Sequence, residues 1–386
     1  MTTVVVAGAL ANKHRHGGSA WVRMSWAEAL RTLGFDVLFV EQIAASACTD
    51  AAGAPAAFED SANAAAFRTA TAAFGFRGSA ALVRSDDGRV LGMEHDELLE
   101  RIGEAALLVN ISGHLRWRAA LERVRDRVYV DLDPGFTQIW HASGDGAAGI
   151  EGHELCFTVG VNVGTHRCPL PTDGVRWRPI RQPVVLERWP VAPDARFDGF
   201  TTVASWRGAY GRPSWQGREY GLKVHEFRRF AELPRLTGIP FSVALDIDPQ
   251  DRADVARLRE GGWELVEAAR VSDTDGFRDF VQSSGAEFSA AQGVYVETRS
   301  GWFSDRTVRY LAAGRPALVQ DTGFSDHLPV GAGLVPFRDL PEARAGAHAI
   351  AADYDRHRLA ARRIAEEWFA PERALAPLLA ATGIAP

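Results

Sequence analysis

Short β-branched runs alternate with segments of helical period from the first residues onward, which restricts the chain to an α/β architecture with parallel sheets. Val4 to Leu10 predicts a strand, and the loop Asn12-Lys13-His14-Arg15-His16-Gly17-Gly18 follows it. Val22, Trp26, Ala29, Leu30 and Leu33 then recur at helical spacing, with Ser19 suited to the helix start and Gly34 to its end. Asp36 to Val40 returns as strand, which completes a βαβ unit. The strands read as continuous apolar runs because a parallel sheet is covered on both faces. Ala106 to Ile111, Val128 to Leu132 and Leu155 to Val159 continue the series, while the Ala-rich stretch from Ala44 to Ala80 predicts helix and loop.

Pro179, Pro183, Pro190 and Pro193 crowd one short segment, a composition that suits an extended connector. A second series begins beyond it. Thr201 to Ser205, Phe241 to Ile247, Trp263 to Val266, Gly293 to Val296 and Pro316 to Gln320 predict strands, and Lys223 to Leu233 and Asp251 to Glu260 predict helices. The expected architecture is α/β, with two Rossmann-like doubly wound domains facing a cleft. Residues 1–180 form the first domain, 181–197 a linker and 198–352 the second. A terminal helix within 353–386, ending near Trp368 and Phe369, is expected to pack back on the first domain.

Composition narrows the function classes. A formal charge of −6 leaves no electrostatic footprint for nucleic acid or an anionic membrane. Three cysteines, Cys48, Cys156 and Cys168, are too few and too odd for a disulfide framework and suit a reducing, cytoplasmic setting. The amino terminus has no signal-peptide pattern, and no apolar run reaches membrane-spanning length.

The most informative stretch is Gly301-Trp302-Phe303-Ser304-Asp305-Arg306-Thr307-Val308-Arg309-Tyr310-Leu311-Ala312-Ala313-Gly314-Arg315-Pro316. Ser304 suits an N-cap, Gly314 a C-terminal stop, and Pro316 prevents continuation. Such a helix start exposes backbone N–H groups and a positive dipole end, which suits a diphosphate, although a well-capped turn with a surface arginine has the same pattern. Arg207, after the strand Thr201 to Ser205, and Lys223, at the next helix start, fall at the same carboxyl edge, where doubly wound sheets bind ligands.

The order Ala204-Ser205-Trp206-Arg207, Gly221-Leu222-Lys223, Ser300 to Arg306 and Tyr310 to Pro316 resembles the donor half of GT-B-fold glycosyltransferases, in the bacterial branch related to spore-maturation enzymes. The resemblance covers most of the C-terminal half and only the layout of the N-terminal half. It implies that Arg207, Lys223, Ser304, Arg306 and Thr307 meet the diphosphate or donor sugar. The implied activity is transfer of a hexose or deoxysugar from a nucleoside-diphosphate sugar to an acceptor hydroxyl or amine. No metal or cofactor is implied beyond that co-substrate. Many retaining members carry a spaced pair of glutamates across this segment. Gly301 and Arg309 stand there in this chain, which tilts the expectation toward inversion.

Inverting transfer needs a base near the acceptor nucleophile. His16, beside Gly17 and Gly18, resembles the acceptor-side loop of these enzymes, whereas a histidine in a basic loop is also an ordinary solvated group. Asp133, after the strand Val128 to Val130, is an equal candidate, though Asp also caps turns such as the one at Pro134-Gly135. His114 is a third edge residue. Trp302, with Trp206 and Trp215 nearby, can stack on a base or sugar face. His153, Cys156, His166 and Cys168 match no usual zinc spacing, and no nucleophile elbow or P-loop pattern occurs. A nicotinamide-dependent oxidoreductase or sugar-nucleotide epimerase is the alternative enzyme class, disfavoured because Gly8, Gly17 and Gly18 do not form G-x-G-x-x-G. A non-catalytic nucleotide-sugar binding protein is the other alternative. The oligomeric state is left open.

Overall fold

Val4 and Val6 enter one apolar core and Val5 and Ala7 another, so β1 (Thr3–Ala7) is covered on both faces. This computed structural model describes residues 1–208 and 210–386. Seven further strands complete the first sheet: β2 (Asp36–Ile43), β3 (Ala80–Arg84), β4 (Val90–Leu91), β5 (Leu107–Ile111), β6 (Arg127–Asp131), β7 (Leu155–Thr158) and β8 (Trp177–Pro179). They lie in the order β4-β3-β2-β1-β5-β6-β7-β8, with only the β3–β4 pair antiparallel.

The second half repeats the design. β9 (Phe200–Ser205) is followed by a small hairpin of β10 (Ser214–Trp215) and β11 (Arg218–Glu219). The remaining strands are β12 (Phe241–Asp246), β13 (Trp263–Glu267), β14 (Ala286–Ser289), β15 (Ala317–Gln320) and β16 (Leu334–Phe337). The second sheet is parallel throughout, in the order β13-β12-β9-β14-β15-β16. Strand order reverses between β1 and β5 and again between β9 and β14, and the crevices outside those carboxyl ends are where such sheets hold ligands.

Three expectations are corrected. Gly293–Glu297 is a short helix, not a strand, and the strand that pairs there is β14. The helix expected over Lys223 to Leu233 stops at Arg228, with a separate helix at Leu233–Thr237, while the Ala-rich stretch is helix and loop as expected up to β3. At the carboxyl end, the helix Tyr354–Trp368 lies against the helix Asp305–Ala312 of the second half, where Arg362 Nη1 donates to Ala312 O at 2.6 Å. Only the short helices after it turn to the first half, placing Leu375 and Leu378 in the core that holds Trp26 and Leu30.

The halves meet at close quarters. The helix Gly17–Thr32 starts two residues earlier than expected, and Trp21 Nε1 donates to Thr274 O of the second half at 2.8 Å. Asn162 Nδ2 donates to Arg299 O at 2.9 Å on the opposite side. A Cβ on Gly17 would stand 1.9 Å from Asp273 O, so glycine is what lets the helix start reach the second half. Gly17→Ala is therefore expected to cost about 1–3 kcal/mol, the usual penalty of overpacking. Urea unfolding checks this, and an unchanged midpoint means the two backbones do not touch.

Candidate active site

A cleft of about 780 Å3 lies between the carboxyl edges of the two sheets. Its walls come from both halves, with Lys13, His16 and Asp133 on one side and Lys223, Ser304 and Arg306 on the other.

On the second-half side, β9 and β14 pair only at Phe200–Ala286 and Thr201–Glu287. Arg306 fills the gap where they splay apart. Its Nε donates to Glu287 Oε1 at 2.6 Å, Nη1 to Val203 O at 2.7 Å and Nη2 to Ser289 Oγ at 2.8 Å. Its charge is largely matched by Glu287, which is fully buried. Ser304 precedes the helix Asp305–Ala312, and its side chain makes no capping bond, so the first-turn N–H groups lack a side-chain partner there. Lys223 starts the helix Lys223–Arg228, with its backbone N–H donating to Gln292 Oε1 at 2.6 Å. Burial, with the Arg306 charge nearby, pulls the Lys223 ammonium down to about 7. Trp302 flanks the cleft with its ring 4.5 Å from that of Tyr295.

Two expected donor contacts, Arg207 and Thr307, do not line the cleft. Arg207 is held by Asp251, with Nε donating to Oδ2 at 2.8 Å. Its side chain is 54% exposed and paired with Asp251, the residue just before the helix Arg252–Glu260. Thr307 is fully buried beneath its helix beside Glu287, because it faces the sheet one position beyond the residue that faces the cleft. Gly301 and Arg309, at the places of the glutamate pair, both serve the seam between the halves. A Cβ on Gly301 would lie 2.7 Å from Val161 Cγ2, and Arg309 Nη2 donates to Ser25 Oγ at 3.1 Å.

On the first-half side, Asp131 is fully buried and accepts from Thr137 Oγ1, Gln138 Nε2, Thr158 Oγ1 and the Asp133 N–H. Those bonds set the turn that presents Asp133, which also accepts from Tyr295 Oη of the second half at 3.1 Å. His16 sits exposed at the start of the Gly17–Thr32 helix, and partial desolvation lowers its pKa against the opposing charge of Asp246. Gly17 and Gly18 line the cleft, but their backbones mainly meet Asp273 and the Phe277 ring. His114 does not line the large cleft. It lines a smaller cavity beside it, where burial and the charges of Arg23 and Lys13 push its pKa down to about 3.

Lys13, Arg23, Asp246 and Gln292 line the cleft and were not singled out by sequence. A compositional signal marks the first of them. Lys13 and Lys223 are the only lysines among 43 basic residues, and both face this one cleft. Among the described residues, no three His, Cys, Asp or Glu side chains cluster to hold a metal, and His153 is tied to Asn110 and Ile150 O. No helix among the described residues is long and apolar enough to cross a membrane.

No family model and no curated protein matches the sequence. Solved structures match over nearly the whole chain. Sucrose-phosphate synthase from Thermosynechococcus elongatus is 14% identical over 99% of this chain and 98% of its own, with a TM-score of 0.55. An alpha-glucosyltransferase solved with UDP is 9% identical over 100% of both chains, with a TM-score of 0.60. HepE from Anabaena, solved with UDP and glucose, is 11% identical over 99% of this chain and 100% of its own, with a TM-score of 0.56.

Glu287→Ala is expected to destabilise the chain by about 3–5 kcal/mol, because Arg306 is left buried and uncompensated. Arg207→Ala is expected to leave nucleoside-diphosphate affinity unchanged. Chemical unfolding checks the first and calorimetric titration the second. A tenfold loss of affinity in Arg207→Ala would return that side chain to the site. The fold is that of the GT-B glycosyltransferases, two parallel-sheet halves with the cleft between them.

Proposed function

We propose that the chain transfers a glycosyl group from a nucleoside-diphosphate sugar to an acceptor, with the donor in the second half and the acceptor in the first. The observation that carries this reading is Lys223, a half-buried cation without a carboxylate partner, at the splayed β9–β14 edge beside the free helix start at Ser304. A diphosphate supplies the charge that Lys223 lacks, and the N–H groups after Ser304 supply donors where the leaving group gains negative charge. Trp302 offers a ring for a base or sugar face. The fold shared with enzymes solved with UDP supports the same donor class.

Asp133 is the better candidate base of the two, because it borders both the large cleft and the smaller cavity, whereas His16 borders only the former. In the step, the acceptor O–H proton passes to the Asp133 carboxylate as the acceptor oxygen bonds the anomeric carbon. The bond from that carbon to the phosphate oxygen breaks, and the nucleoside diphosphate leaves with the electron pair. Attack from the side opposite the leaving group inverts the anomeric centre, and no carboxylate stands at Gly301 or Arg309 to favour the other outcome. The charge carried by Lys223 and the helix start needs no metal in this step. The motif order of the second half supports placement near spore-maturation-type enzymes, acting in the cytoplasm.

Binding is tested by thermal unfolding with UDP, GDP and TDP, with NAD and NADP in parallel, since ligand at ~100 Kd stabilises by about 2.7 kcal/mol. A shift with a nucleoside diphosphate alone is expected, and a shift with NAD or NADP alone would replace this reading with the oxidoreductase one. Between pH 7 and 10 the folded chain holds fewer protons on Lys223 than the unfolded chain does, so unliganded stability rises with pH across that window. A bound diphosphate restores the proton. Calorimetry at pH 8 in buffers of different ionisation enthalpy should find uptake of up to about one proton, absent in Lys223→Met. Asp133→Asn should lower turnover by about 10²–10⁴-fold with donor binding kept, and full activity would remove it as base.

A further inference from the structure

We infer that the smaller cavity of the first half receives a negatively charged group of the acceptor, gripped by Lys13 and Arg23. This rests on the transfer reading and names its acceptor class, a compound with a phosphate or carboxylate close to the hydroxyl that reacts.

The cavity measures about 230 Å3 and shares Lys13, Arg23 and Asp133 with the large cleft. That is below the usual range for a drug-sized ligand, so it suits one small group of a molecule that extends into the cleft. Three cations, Lys13, Arg23 and Arg116, line it against a single carboxylate, Asp133. Arg23 is 5% exposed, its Nε has no partner, and its Nη1 reaches only Ser19 O at 3.4 Å. Burying a guanidinium in this way is unfavourable without an opposing charge, and a ligand anion supplies one.

The placement of Arg23 is built into the fold. A Cβ on Gly8 would lie 2.7 Å from Arg23 Cγ, so the glycine that ends β1 makes room for this side chain. Lys13 is fixed from the other direction. The buried Glu41 carboxylate accepts from the Leu10, Ala11 and Asn12 N–H groups at 2.8, 2.7 and 2.9 Å, which holds the turn that ends in Lys13. Lys13 is brought close enough to Arg23 that this like charge is the main cause lowering its pKa, to about 8. His114 lines the same cavity, kept neutral first by burial and then by the charges of Arg23 and Lys13.

Lysine is also a choice here. A chain that uses arginine for nearly every cation keeps its two lysines for this cleft, one on each wall. An ammonium is a compact charge with three donors on a flexible stem, suited to a phosphate oxygen. Lys223 serves the donor wall, so Lys13 on the facing wall is left for a second anion. An anion held there brings a neighbouring hydroxyl up to Asp133, which borders both compartments.

The test is thermal unfolding of the full chain saturated with the nucleoside diphosphate it prefers, then titrated with inorganic phosphate, with acetate as the carboxylate arm and chloride at matched ionic strength as control. Phosphate or acetate is expected to raise the midpoint by about 2 °C or more beyond chloride, and the stronger arm names the anion. Lys13→Gln should abolish that increment and leave the nucleoside-diphosphate shift in place. Lys13→Met should do the same, and the ligand-free midpoint of each variant is read alongside. No increment in the wild type, or an increment kept in both variants, overturns the inference. Loss of the nucleoside-diphosphate shift in both variants overturns it too, because Lys13 then belongs to the donor. No nucleoside-diphosphate shift in the wild type overturns the transfer reading itself.

Discussion

Arg306 holds together the two strands whose separation makes room for a ligand. β9 and β14 are hydrogen-bonded only at their beginnings, and past that point the guanidinium spans from Val203 O on one to Ser289 Oγ on the other, with Glu287 beneath. A parallel sheet opened at its switch point exposes backbone groups that must find partners, and a planar fork of donors meets that need where a lysine would not. The same residue lies in the first turn of the helix Asp305–Ala312, so the helix start is fixed relative to the sheet. Ser304, Trp302 and Lys223 take their places around this clamp. Because Glu287 matches most of the Arg306 charge, Lys223 is left as the cation with charge to give a ligand.

The facing wall follows a parallel logic with different residues. Buried carboxylates there hold turns in place. Glu41 holds the turn before Lys13, and Asp131 holds the turn that carries Asp133. Each carboxylate is buried and accepts from several donors, and neither forms an ion pair with Lys13 or Arg23 among the described residues. The cleft therefore has cations on both walls, and of its three carboxylates, Asp133, Asp246 and Asp305, only Asp133 also borders the smaller cavity. That division of charge suits two substrates that are each anionic and a proton that must be removed between them.

Much of the fold was legible because both sheets are parallel, apart from the β3–β4 edge pair, and their strands read as apolar runs. β1, β2, β5, β9 and β12 fall close to where the pattern puts them. β14 was not legible for a functional reason. Ala286-Glu287-Phe288-Ser289 places two polar side chains in a fully buried strand, and both are there to bind Arg306. The run Val294-Tyr295-Val296 has strand propensity, yet it forms a short helix whose Tyr295 reaches Asp133. In both cases tertiary contacts at the site override local preference. Arg207 failed in the opposite way. Its position along the chain is right for a donor contact, but Asp251 captures it, and that pairing spans too many residues for the pattern to reveal. Lys13 and Arg23 were missed because arginine is common in this chain and a lone lysine in a basic loop looks solvated. The scarcity of lysine was the available signal.

The central claim is that Lys223 and the helix start at Ser304 receive the diphosphate of a sugar nucleotide across the cleft from Asp133. A crystal structure of the chain with UDP tests it most directly. The account predicts diphosphate oxygens within hydrogen-bond reach of Lys223 Nζ and of the backbone N–H groups following Ser304, at about 2.7–3.2 Å, with the uridine on the second-half wall. UDP bound instead on Lys13 and Arg23, or outside the cleft, would contradict it.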